Sequence, residues 1–117
     1  MSALLKSFIA SSIEDEIQMH PAWLGNVSGL KAEKMLRGRY KPFLYILRAG
    51  EQARDYYVTF VATDYTIRHQ PFVITAAPEG WYIENGGGTG PHTHANIDDV
   101  IHSVMHCNVG ECMPFIQ

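Results

Sequence analysis

Apolar residues recur at the three- and four-residue spacing of an amphipathic helix in two stretches of the chain. Residues 29–37 form the first predicted helix, because Ser28 is a favourable N-cap and Gly38 stands just past its last turn. The second begins after Asn96, another favourable N-cap, and continues to about His106. Its apolar positions are Ile97, Val100, Ile101, Val104 and Met105.

Between these helices the pattern becomes that of β-strands, rich in β-branched and aromatic residues. Strands are predicted at residues 43–48, 56–61, 65–69 with 72–75, and 81–83. Pro71 interrupts the third strand, since a ladder tolerates proline only at an edge or a bulge. Alternation in the second strand places Tyr56, Val58 and Phe60 on one face, and Tyr57 and Thr59 on the other.

The order of helix, strands and helix predicts an α+β fold, in which a central antiparallel sheet is flanked by two helices. Residues 21–117 would form this domain. Residues 1–20 are expected to form a short helical extension, either packed on the domain or extending from it. Ser11 and Glu14 there have the spacing of a capping box. The glycine-rich stretch 84–94 is predicted to be a mobile loop.

Composition and charge narrow the function classes. The chain has 117 residues, 46% of them hydrophobic, and a net charge of −3, which argues against non-specific binding to nucleic acid or to an anionic membrane. No apolar run is long enough to span a membrane, and the N-terminus does not resemble a secretory signal. With only two cysteines, Cys107 and Cys112, a reducing compartment is the simpler assumption, so we expect a cytoplasmic monomer.

One strand ends on an unexpected residue. The apolar run 43–47 is followed by Arg48, and a guanidinium ends a buried strand only where an anion meets it. Seven of the nine Lys and Arg residues lie between positions 31 and 54, so one part of an acidic protein is basic. The anion is either an internal carboxylate, such as Glu33 or Asp55, or a ligand. The basic residues are either an ordinary solvated surface or part of an anion site.

The ordered set of motifs resembles the Src homology 2 (SH2) family, the phosphotyrosine-binding module. "WLGNVSGLKAEKML" is similar to the opening tryptophan and first helix of that family, and "FLYILRAG" to its arginine-bearing strand. "DYYVTFVA", "IRHQPFVI", "GWYI" and "NIDDVIHSVMH" are similar to the later strands and second helix. The resemblance covers residues 23–116 and implies a non-catalytic module that takes tyrosine-phosphorylated proteins as partners.

The resemblance also implies a site. Arg48 falls on the phosphate-binding arginine, and His69 on the histidine that lines the tyrosine ring. The loop of Ala49, Gly50, Glu51 and Gln52 would wrap the phosphate with inward-pointing amide groups, and Thr59 could add a hydroxyl.

Several positions depart from the family pattern. The usual helix arginine is replaced by Gly29, and the usual strand lysine by Pro71. Arg54, Arg68 and Lys31 are the candidate substitutes, and the sequence does not choose among them. The peptide-contacting candidates are Gln70, where the family often has an aromatic residue, and Gly86, Gly87 and Gly88 in the lengthened loop. We therefore expect weak selectivity for flanking residues, and a loop that could close over the peptide.

Other readings stay open. A nearly free-standing domain of this kind resembles those in effector proteins of intracellular bacterial pathogens, which would act in the host cytosol; a divergent eukaryotic adaptor is the other option. A degenerate domain that binds unphosphorylated partners is the runner-up. Metal binding is a less favoured alternative, suggested by His92, His94, His102, His106, Cys107 and Cys112. No cofactor or metal is expected, and no motif indicates an enzyme.

Overall fold

The computed structural model describes residues 14–52, 55–77, 80–84, 92–93, 97–107 and 110–116, with the backbone alone at 74–77, 80–84 and 92–93. The chain has an α+β fold. Its helices are α1 (residues 14–18), α2 (Gly29–Arg37) and α3 (Ile97–Met105). Its strands are β1 (Leu44–Ala49), β2 (Asp55–Val61), β3 (Ile67–Ala77), β4 (Gly80–Glu84), β5 (His92–Thr93) and β6 (Met113–Pro114). None of the described helices is long and apolar enough to cross a membrane.

One six-stranded sheet organises the domain, with the strand order β5-β4-β3-β2-β1-β6. Neighbouring strands are antiparallel except at one edge, where β6 runs parallel to β1. There the Met113 N–H donates to the Phe43 carbonyl at 2.9 Å, and the Phe115 N–H donates to Tyr45 at 2.8 Å. The predicted antiparallel pairing is confirmed for β1 to β4, but it does not extend to this edge. The intervening α3 lets the chain return in the direction of β1, as parallel pairing requires.

The third strand was also predicted incorrectly, because β3 continues through Pro71 without a break. Pro71 pairs with Tyr57 of β2, whereas the ladder between β3 and β4 begins only at Val73. At Pro71 the strand therefore has one neighbouring strand among the described residues. A proline can be accommodated at such an edge position because one side of the backbone needs no ladder hydrogen bond.

The two longer helices pack on opposite faces of the sheet, which confirms the predicted layers. Tyr56, Val58 and Phe60 of β2 share one core cluster with the apolar face of α3. On the other face, Leu36 of α2 packs with Ile46 of β1 in a second cluster. The alternation in β2 is as predicted, so Tyr57 and Thr59 lie on the α2 face.

Helix boundaries follow the predicted caps where the structure describes them. The Ser28 hydroxyl accepts a hydrogen bond from the Lys31 N–H at 3.1 Å, and α2 ends at Arg37, one residue before Gly38. Asn96 and Ser11 lie outside the described residues. At the start of α3, the Glu16 carboxylate accepts from the Ile97 N–H at 2.8 Å.

The described part of α1 packs against the domain. Ile17 is fully buried and belongs to the core cluster beneath α3. His20 lies 2.9 Å from the Asp98 carboxylate in the first turn of α3. These contacts favour packing on the domain over extension away from it.

Candidate anion-binding site

Arg48 lies near the end of β1 on the α2 face of the sheet, with only 9% of its surface exposed. Its Nε–H donates to the Thr59 hydroxyl at 2.9 Å, and its Nη2 donates to His69 Nδ1 at 3.1 Å. The guanidinium carbon is 4.3 Å from the centre of the Tyr57 ring, in the geometry of a cation–π contact. Burial lowers the pKa of Arg48 below its ordinary value, while the neighbouring Tyr57 acts to raise that pKa.

No carboxylate in the described part of the chain forms an ion pair with this guanidinium. Glu33, one internal candidate, instead accepts from Arg37 at 3.3 Å and contacts His69 at 3.1 Å. The backbone of Asp55, the other candidate, binds the 50–52 loop. The buried cation therefore has only neutral partners among these residues, although a buried charge ordinarily needs a counter-charge.

The contacts of His69 define which of its nitrogens carries a proton. A guanidinium can only donate, so Nδ1 must accept from Arg48 and cannot itself carry hydrogen. The Thr59 hydroxyl, 3.0 Å from the same nitrogen, can also donate to it. Nε2–H then donates to the Glu33 carboxylate at 3.1 Å. Through His69, this carboxylate of α2 orients the acceptor that holds Arg48 in place.

An open cavity of about 630 Å³ lies in front of Arg48. It is lined by Asn26, Val27, Ser28, Arg48, Ala49, Gly50, Glu51, Tyr57 and His69. The N-terminus of α2 forms one wall, and its helix dipole favours an anion there. Sequence reasoning had named Arg48, Ala49, Gly50, Glu51 and His69 among these residues.

Gly29 brings the backbone of α2 close to the guanidinium. A Cβ atom at this position would lie 3.3 Å from Arg48 Nη2 and 3.4 Å from His69 Cε1. These distances are tight contacts, so a side chain here would push against both groups. Gly29 therefore lets the helix approach the guanidinium closely.

The loop after β1 differs from the predicted ring of phosphate-binding amides. The Ala49 N–H already donates to the Gly25 carbonyl, and the Gly50 N–H to the Asp55 carbonyl, both at 2.8 Å. Gly50 is needed for another reason, because its Cβ would lie 2.7 Å from Asp55 Cβ. The segment before α2 and the neighbouring strand β2 thus each accept from one of these two amide groups.

The remaining predicted site residues are dispersed. Thr59 is fully buried and accepts from Arg48, while Lys31 and Gln52 are exposed and do not line the cavity.

Two predicted residues of β3 point to the opposite face of the sheet. Arg68 is adjacent to His69 in the strand, so its side chain lies on that face, where it pairs with Asp64 at 3.5 Å. Gln70 also points to that face, and its amide donates to the Pro71 carbonyl at 3.3 Å. Arg54, Gly86, Gly87 and Gly88 lie outside the described residues.

Sequence reasoning did not place Tyr57 at the site, and it considered Glu33 only as a direct partner of Arg48. Tyr57 lies directly opposite Arg48 in the β1–β2 register, and that register depends on the length of the connecting loop. Glu33 reaches His69 only after α2 has packed on the sheet. The alternation in β2, which puts Tyr57 on the same face as Thr59, could have identified Tyr57 as a site residue.

No known family model matches this chain, and no curated protein matches it in sequence. Any functional assignment therefore depends on the geometry of the site, together with the motif resemblance.

Proposed function

We propose that this protein is an SH2-like module that binds phosphotyrosine at Arg48. The observation that supports this most is Arg48 itself, a residue that is 9% exposed, lines an open cavity and has no carboxylate partner among the described residues. A buried cation of this kind is stabilised when a ligand supplies the missing anion.

A phosphate monoester suits the site electrostatically. It carries about −1.5 to −2 charges at neutral pH and three acceptor oxygens. A guanidinium has more N–H donors than the contacts with Thr59 and His69 use, and its planar edge can bind two phosphate oxygens together. Because these two residues fix the guanidinium, little rotamer entropy remains to be lost on binding.

The depth of Arg48 favours phosphotyrosine over phosphoserine. The guanidinium lies on the sheet beneath the N-terminus of α2, so a long aryl phosphate can reach it while its backbone stays at the surface. His69 and Tyr57 line the cavity, where an aromatic ring would contact them. The phosphate of phosphoserine lies closer to the peptide backbone, so we expect it to reach Arg48 less well.

Weak flanking selectivity is part of the proposal. Gln70 lies on the face opposite Arg48, and its side-chain amide is bonded to the backbone of its own strand. It therefore offers little to recognise a peptide side chain beyond the phosphotyrosine, and we expect the phosphate to supply most of the affinity. A hundredfold preference at one flanking position, about 2.7 kcal/mol, would contradict this.

The test is titration with a random phosphotyrosine peptide pool, compared with the same pool after dephosphorylation and with a phosphoserine pool. We expect binding of the phosphotyrosine pool alone. Arg48→Lys should weaken it by at least about 30-fold, or 2 kcal/mol, because an ammonium cannot make the planar two-oxygen contact.

Arg68→Lys is the matched control, since Arg68 is exposed on the opposite face. This variant should bind phosphopeptide like the natural protein. Equal binding of the phosphorylated and dephosphorylated pools would instead favour a degenerate domain that recognises unphosphorylated partners.

A further inference from the structure

A second group of chemically reactive side chains lies at the end of α3, away from Arg48. His102 is in the last turn of the helix, Cys107 follows it, and Cys112 directly precedes β6. One ligand atom from each of these three residues lies within 4.8 Å of the others. Cys107 is 9% exposed, and both cysteines contact the core cluster beneath α3. The backbone brings them together, because the Cys107 N–H donates to the His102 carbonyl at 3.3 Å.

This set of donors matches the preferences of zinc. Thiolate and imidazole are the ligands that zinc most often takes in proteins, and Cys₂His sites leave a fourth position for water. The cysteines are five positions apart, which leaves four residues between them, within the usual range for paired zinc ligands. Ligands on a tetrahedral zinc ion are about 3.3–3.8 Å from one another. Modest side-chain movement from the observed 4.8 Å limit would meet that geometry.

The same two cysteines can also exist as a disulfide. Their sulfur atoms are in bonding contact in this structure, and their Cα atoms are 6.3 Å apart, a separation that a disulfide accepts. Disulfide and metal exclude each other, because a metal ligand must be a thiolate. In a reducing compartment the disulfide would be open, which leaves two thiols beside an imidazole.

We propose that the reduced protein binds one zinc ion through His102, Cys107 and Cys112. The ion would join the end of α3 to the segment that enters β6. Since β6 pairs with β1, this junction fixes the edge of the sheet next to the strand that carries Arg48. The proposal does not depend on phosphotyrosine binding.

The experiment uses the full chain, reduced with a phosphine under anaerobic conditions and freed of metal. Cobalt(II) is added first as a spectroscopic probe, and zinc is then titrated against a chromophoric chelator. We expect one equivalent of cobalt with thiolate charge-transfer bands and tetrahedral d–d bands, all displaced by zinc. We also expect zinc to raise the melting temperature of the reduced protein.

Variants identify the ligands. His102→Ala should weaken zinc binding by at least about 100-fold, more than the loss of a group that only supports a ligand. Cys112→Ser should reduce the thiolate charge-transfer absorption to that of a single sulfur ligand, Cys107. His106→Asn is the matched control, because His106 is exposed, close in sequence and outside the cluster, and asparagine tolerates its positive φ of 55°.

Three results on the reduced protein and its variants would overturn the proposal. These are binding of less than half an equivalent by the reduced protein, unchanged zinc affinity in a folded His102→Ala variant, or loss of binding in His106→Asn. Circular dichroism of each variant shows whether it is folded. Reoxidation of the natural protein with glutathione disulfide should form the cysteine disulfide, release two equivalents of glutathione and remove metal binding. Retention of zinc after complete disulfide formation would also contradict the assignment.

Discussion

Replacing Arg48 by methionine separates the stability of the fold from the proposed binding of phosphotyrosine. Methionine matches the aliphatic stem of arginine and has no charge, so it removes the guanidinium while keeping most of the apolar packing of the stem. Thr59 Oγ1 and His69 Nδ1 are 3.0 Å apart and remain partners after the substitution. Neither polar group that binds the guanidinium is therefore left unsatisfied.

The expected change in folding free energy is small. Breaking an internal ion pair costs about 3–5 kcal/mol, because the remaining carboxylate becomes a buried unpaired charge. No described carboxylate pairs with Arg48, so this penalty should not arise. Loss of the two hydrogen bonds and of the cation–π contact with Tyr57 destabilises the fold, whereas removal of a buried cation stabilises it. We expect these contributions to cancel to within about 1 kcal/mol, whereas phosphotyrosine binding should weaken by about 2–5 kcal/mol.

Urea denaturation and calorimetric titration with one phosphotyrosine peptide measure the two quantities on the same preparation. A shift in the urea midpoint with an unchanged slope reports stability alone. Destabilisation by 3 kcal/mol or more would show that Arg48 holds an internal anion. A stable variant that still binds phosphopeptide normally would refute the phosphate assignment. Arg68→Met is the control and should change both quantities little, because exposed ion pairs contribute about 0–1 kcal/mol.

Three further substitutions test the structure around the site. Thr59→Val should lower the free energy of unfolding by about 1.5–3 kcal/mol in urea denaturation, because the buried Arg48 donor loses its acceptor. Thr59→Ser keeps the hydroxyl and should retain more phosphopeptide affinity than Thr59→Val. Gly50→Ala should cost about 1–3 kcal/mol, because its Cβ would clash with the neighbouring strand, whereas Gly38→Ala should be neutral or stabilising; equal effects would contradict the loop geometry. Ile17→Ala should lower the free energy of unfolding by about 2–5 kcal/mol, whereas Met19→Ala, at an exposed position, should lower it by under about 0.5 kcal/mol. No loss of stability in Ile17→Ala would show that the first helix does not pack in the core.

Most of the central fold could be predicted because its signals are local. Ser28 and Gly38 bracket α2 by their capping preferences, and the alternation of β2 assigns its side chains to two faces. The parallel edge strand could not be predicted. Met113–Pro114 is too short to have a periodic pattern, and its pairing depends on where α3 directs the chain.

The site could be predicted in part, for a similar reason. Arg48 stands out because a charge follows an apolar strand, and the structure brings it together with Thr59 and His69. The role of Glu33 depends on how α2 packs across the sheet, which residue spacing does not encode. The loop amides were expected to face a phosphate, but the Ala49 N–H donates to the Gly25 carbonyl before α2, and the Gly50 N–H donates to the Asp55 carbonyl of β2.

The most direct test of the account is an NMR titration that observes the Nε–H signal of Arg48 in nitrogen-15-labelled protein. The ligand is phenyl phosphate, which carries the aryl phosphate without a peptide, and phenol is the control. The signal is assigned by its loss in Arg48→Lys. We predict a saturable shift of this signal with phenyl phosphate, because phosphate binding at the free Nη–H groups changes the electronic environment of the whole guanidinium, and no shift with phenol. An Arg48 signal that stays fixed while phenyl phosphate binds and shifts other residues would contradict the claim that Arg48 receives the phosphate.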